Sequence, residues 1–117
     1  MIIKTIEDLY STLKRNTEFK YVSMTVDTLV IQPYSEFKIE IYKKDYFDIY
    51  INGLFYYSVE PEDVLEFITD FFSNKFVFIE STDKKGKKSV KCIDIAKVPR
   101  FFNTKNVKIY SNSKVEN

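Results

Sequence analysis

The sequence predicts an α+β fold: a largely antiparallel sheet of about five to six strands with two helices on one face, in the order α-β-β-β-β-α-β-β. Three observations lead there. Residues 5–16 and 60–74 place apolar side chains at helical spacing between helix-start and helix-stop signals. The stretch 19–59 alternates with a period of two. Two turn signals, Asn52-Gly53 and a lysine run around Gly86, tie neighbouring strands into hairpins. At 117 residues the chain is read as one domain, 1–117, with 111–117 as a frayed tail.

Thr5 is a good N-cap for the first helix, and Glu7 and Asp8 put negative charge where the helix dipole favours it. Ile6, Leu9, Tyr10 and Leu13 make one apolar stripe, and Lys14, Arg15 and Asn16 suit the helix end. Strands are expected over 19–26 and 29–32 with a turn at Asp27-Thr28, and Pro33-Tyr34-Ser35 is expected to break the run.

Phe37, Ile39 and Ile41 then alternate with Lys38, Glu40 and Tyr42, and Phe47, Ile49 and Ile51 with Tyr46, Asp48 and Tyr50. A three-residue loop, Lys43-Lys44-Asp45, keeps both apolar rows on one face and sets Ile41 opposite Phe47 and Glu40 opposite Asp48. Asn52-Gly53 forms a type I′ turn that pairs Ile51 with Leu54, Ile49 with Tyr56 and Phe47 with Ser58. The outer face of this meander then carries Tyr42, Tyr46, Tyr50, Phe55, Tyr57 and Val59.

In the second helix Pro61 suits the first helical position, with Glu60, Glu62 and Asp63 around it and Asn74 at the end. Val64, Leu65, Phe67, Ile68, Phe71 and Phe72 form its apolar face, and Glu62, Glu66 and Asp70 belong to the acidic one. A hairpin follows over 76–82 and 89–95, turning at Lys84-Lys85-Gly86-Lys87 and placing Glu80 opposite Lys91, Phe78 opposite Ile93 and Cys92 opposite Ile79. Val107–Tyr110 can add a last strand.

Composition excludes more chemistry than it suggests. The chain has no histidine and one cysteine, so imidazole catalysis, disulfides and the usual zinc sites are all excluded. Cys92 has no visible helix N-terminus to hold a thiolate and reads as a packed thiol. The Glu40–Asp48 pair is a candidate cation site or acid/base couple, with Lys38, Lys43 and Lys44 near enough to offset it. No phosphate loop or nucleophile elbow is present. An enzyme is not expected, nor a cofactor, nor a metal site. The longest apolar runs, 54–57 and 76–79, are four residues each, so a membrane partner is not expected and a cytoplasmic location is.

Charge is divided along the chain: residues 1–74 hold 13 acidic and 7 basic side chains, net −6, and residues 75–117 hold 4 acidic and 11 basic, net +7. Two surfaces follow. One is a partner-binding surface of Tyr42, Tyr46, Tyr50 and Tyr57 with the acidic Glu62, Glu66 and Asp70, since tyrosine gives contact area at low entropic cost and a carboxylate row can imitate phosphates toward a basic protein. The other is a nucleic-acid contact through Lys84, Lys85, Lys87, Lys88 and Arg100, with Phe101 and Phe102 to stack on bases. The profile fits a small non-enzymatic protein-binding module, of the kind phages and mobile elements encode against a host nuclease or defence complex (anti-CRISPR-like). The alternatives are a nucleic-acid-binding module and a toxin-neutralising immunity protein.

Overall fold

The computed structural model describes residues 3–97 and 107–112. Its elements run α1 (Ile6–Lys14), β1 (Val22–Thr25), β2 (Thr28–Tyr34), β3 (Phe37–Lys43), β4 (Phe47–Ile51), β5 (Leu54–Val59), α2 (Val64–Phe72), β6 (Phe76–Thr82), β7 (Lys88–Asp94) and β8 (Val107–Tyr110). The fold is α+β. Among the described residues the strands form two antiparallel sheets, a five-stranded meander β1-β2-β3-β4-β5 and a three-stranded sheet β7-β6-β8. The expected single sheet is thus corrected to two, and five strands, not four, precede α2. No helix among the described residues is long and apolar enough to cross a membrane.

Local chemistry sets the element ends. Thr5 Oγ1 accepts from the Asp8 amide at 3.0 Å, and the Asp8 carboxylate accepts from the Thr5 amide at 3.2 Å, a reciprocal capping box that starts α1. Tyr21 lies in the left-handed region at φ 64°, which interrupts the extended chain, so β1 begins at Val22 and not at residue 19. Pro33 does not end β2. The β2–β3 register shifts between Ile31 and Tyr34, and β1 reaches only to Ile31, so no ladder bond is asked of the missing proline N–H.

The start of α2 also differs from expectation. Glu60 to Asp63 close their own turn (Asp63 N–H to Glu60 O, 2.9 Å), which leaves Pro61 outside the helix and Asp63 as its N-cap. At the other end Asn74 takes φ 58°, its amide donates to Phe71 O and the Lys75 amide to Asp70 O, a Schellman ending with asparagine in the position usually held by glycine.

Register decides which side chains meet. Asn52 and Gly53 both have positive φ (50° and 82°), as a type I′ turn requires. The β3–β4 pairing is Ile39 with Ile51 and Ile41 with Ile49, two residues from the expected register. A slip of two keeps every side chain on its face, so burial does not choose between the registers. The Asn52 side chain does: its Oδ1 accepts from the Lys38 amide at 2.7 Å and its Nδ2 donates to Glu36 O at 2.9 Å. The β6–β7 pairing is one residue from the expected register, with Glu80 opposite Val90 and Phe78 opposite Cys92. Asp83 is the cause. Its carboxylate accepts from the Lys85 and Lys87 amides at 2.8 and 2.9 Å, drawing Asp83 into the turn and lengthening it by one residue.

One core serves all these elements. The inner face of the meander supplies Phe37, Ile39, Ile41, Phe47, Ile49 and Ile51, and both helices, Phe78 of β6 and Tyr110 of β8 pack against that face. Phe37 lies 5.8 Å from Phe71, 6.2 Å from Phe78 and 5.1 Å from Tyr110, ring centre to ring centre, and so joins both sheets to α2. Phe37→Ala and Phe71→Ala should each cost about 3–5 kcal/mol in urea denaturation, the range for a ring lost from a packed interior. The half-buried Phe67 should cost less. A loss below about 1 kcal/mol at Phe37 would contradict its place at the junction.

Candidate functional site

The site begins with one extra residue in β5. The β4–β5 ladder pairs Ile51 with Leu54 and Tyr50 with Phe55 as expected, then shifts, so that Ile49 faces Tyr57 and Phe47 faces Val59. Tyr56 is the bulged residue. Strict alternation would have set Ser58 opposite the buried Phe47 and left Val59 on the outer face. The bulge exchanges them: Val59 is buried, and Ser58 Oγ donates to Asp48 Oδ1 at 2.6 Å on the outer face. It also brings Tyr57 from the outer face to the side where α2 lies, beside Tyr56 at 6.0 Å between ring centres.

Between β5 and α2 this leaves a cleft of about 500 Å³. Tyr46, Tyr56, Tyr57 and Phe67 are its aromatic lining, and Glu60, Asp63, Glu66 and Asp70 its carboxylates. Asp63, Glu66 and Asp70 follow one another at i, i+3 and i+7, which places them in a row along one face of α2. Tyr46 and Tyr57 are 47% and 61% exposed, so their rings are open to solvent. Lys75 Nζ reaches Asp70 Oδ1 at 3.2 Å at one end of the row. At the other end the hydrogen bond that a protonated Glu60 carboxyl donates to the neighbouring Glu62, together with the negative charge of Glu62, raises the Glu60 pKa from its ordinary value. Glu62 is exposed and does not line the cleft.

The structure therefore divides the expected tyrosine surface. Tyr46, Tyr57, Glu66 and Asp70 come together in the cleft, while Tyr42 and Tyr50 lie on the outer face of the meander. There Tyr50 meets Tyr42 edge-to-face at 5.4 Å and Phe55 at 5.5 Å. Both helices dock on the opposite face. The Glu40–Asp48 couple does not form, because Glu40 is opposite Tyr50 and Asp48 opposite Tyr42. Each carboxylate has its own partners: Glu40 takes the Tyr42 hydroxyl at 3.1 Å and Lys38 at 3.6 Å, and Asp48 takes Ser58 and, at 3.9 Å, Lys44. Among the described residues no group of three or more Cys, Asp or Glu side chains is placed to hold a metal ion.

The lysines at 84, 85, 87 and 88 are all exposed, on a tip held by Asp83 and by Gly86 at φ 84°. Arg100, Phe101 and Phe102, expected to extend that surface, lie outside the described residues. Tyr56 and Phe67 are the cleft residues that sequence reasoning assigned only to the core. The i, i+3, i+7 spacing of Asp63, Glu66 and Asp70 was a usable signal for the acidic wall; the bulge that turns Tyr57 toward it had none.

Cys92, half-buried on β7, meets the bulged Tyr56. Burial pushes its thiol pKa up, and the hydrogen bond from the Tyr56 hydroxyl offsets this in part. A protonated, shielded thiol is a poor nucleophile. Folded protein should react with Ellman's reagent at pH 8 far more slowly than the urea-unfolded chain, and equal rates would contradict this placement. No family model, no curated protein and no solved structure matches the chain.

Proposed function

We propose that this chain is a small non-catalytic protein-binding module that presents the β5–α2 cleft to a basic partner. Nucleases and other nucleic-acid-handling proteins carry basic surfaces of the required kind. The reading extends to an inhibitor encoded by a phage or mobile element against a host nuclease or defence complex, acting in the cytoplasm. One observation carries it: two half-exposed tyrosines share a single concavity with a row of helix carboxylates. Rings of that kind serve as interface anchors, and the carboxylates supply attraction and orientation. A second reading, nucleic-acid contact, draws on the four exposed lysines of the β6–β7 tip.

Affinity capture from the native host with matched baits separates the two. Tyr46→Ala and Tyr57→Ala should each weaken the captured complex by about 2 kcal/mol or more, whereas Tyr50→Ala, outside the cleft, should have little effect. Reversing Glu66 and Asp70 to Lys should slow association, with the loss shrinking as salt rises. Replacing Lys84, Lys85, Lys87 and Lys88 with Ser should leave the complex intact. A partner that is lost with the lysines, or after nuclease treatment, would favour the nucleic-acid reading.

Acidity should act in a defined direction. Binding to a cation needs the carboxylates charged, so affinity should fall as pH falls through their range, with Glu60 protonating early because Glu62 stands beside it. A titration calorimetry series from pH 7 to pH 4 checks this, and affinity that rises on acidification would contradict it.

A further inference from the structure

We infer that the group the cleft receives is an arginine side chain of the partner. This rests on the reading of the cleft as a binding surface and specifies its chemistry. The negative charge there is largely unmet: among the described residues Lys75 on Asp70 is the one cation in ion-pair range of the cleft carboxylates, leaving Glu60, Asp63 and Glu66 without one. Those carboxylates do not converge on a point where a metal ion could sit. They are spread along a cleft of about 500 Å³, room for extended side chains and far more than a bare ion needs.

The aromatic lining narrows the choice of cation. Tyr57 stands tilted by 50° to Tyr56 at the cleft wall and is 61% exposed, so a face is open over which a flat cation can lie. A guanidinium can stack on such a ring while its fork of N–H donors reaches carboxylates at the side. An ammonium is compact and strongly hydrated, and gains less from the ring. Lys75 Nζ already holds Asp70, which leaves Asp63 and Glu66 as the helix-wall carboxylates open to an incoming cation. The arginine therefore belongs at Asp63 and Glu66, which share the cleft with the rings.

The test uses the full chain, labelled with nitrogen-15, and three acetylated tripeptide amides: Arg-Gly-Arg, Lys-Gly-Lys and citrulline-Gly-citrulline. Amide shifts in titration should cluster at 56–70 with Arg-Gly-Arg, which should bind about fivefold tighter than Lys-Gly-Lys, and citrulline should give no saturable shift. Asp63→Asn with Glu66→Gln should weaken both cationic peptides by about tenfold or more. Tyr57→Leu should bring the arginine-to-lysine ratio to about one, the readout that a purely Coulombic site would not move. All three side chains are exposed, so the variants should keep the native spectrum elsewhere. Equal binding of the arginine and lysine peptides in the cleft would overturn the arginine inference and leave the basic-partner reading standing. No cleft shift with either would overturn both.

Discussion

The ring of Phe37 is the point at which the two sheets and α2 are held together. It is the first residue of β3, is fully buried, and touches Phe71 of α2, Phe78 of β6 and Tyr110 of β8. Phe78 continues the contact to Tyr56, at 5.2 Å, and Phe71 to Phe76, at 6.2 Å. The second sheet thus has no core of its own on this side, and its position against the meander is set by interlocking rings. Their mixture of stacked, tilted and edge-to-face contacts restricts rotation of one layer over the other in a way that aliphatic packing does not.

The cleft inherits its shape from that junction. Tyr56 is drawn inward by Phe78 and, at 6.3 Å, by Phe67, and a residue drawn inward out of turn is what a bulge accommodates. Once Tyr56 is in, Val59 must close the core opposite Phe47, Ser58 must face Asp48, and Tyr57 must stand beside α2. The acidic wall is placed by the same rings, since Phe67 and Phe71 fix the rotation of α2 and hence the direction of Asp63, Glu66 and Asp70. Packing on one side of α2 and the acidic cleft wall on the other are two consequences of one helix orientation.

How much of this was legible in the sequence depends on the range of the interaction involved. The Thr5 N-cap, the apolar stripes of both helices and the Asn52-Gly53 turn are local, and each matches its expectation; the reciprocal bond from Asp8 adds to the first. Strand register was less legible, for three different reasons. In β3–β4 a two-residue slip leaves the faces unchanged, and only the long-range bonds of Asn52 distinguish the alternatives. In β6 the residues Val77, Phe78, Ile79 and Glu80 are all buried, so alternation there carries no register information. In β5 the run Leu54-Phe55-Tyr56-Tyr57 is apolar or aromatic throughout, which hides the bulge. The acidic half of the site was visible, whereas Tyr57 was assigned to the outer face, because its side of the sheet turns on the bulge.

On the proposed reading, binding is centred on β5 and α2 and not on the lysine tip. Hydrogen–deuterium exchange of the chain, alone and with its captured partner, tests it most directly. Exchange should slow at residues 56–70 alone, with residues 83–88 unchanged. Protection at 83–88 with residues 56–70 exchanging as in the free chain would contradict it.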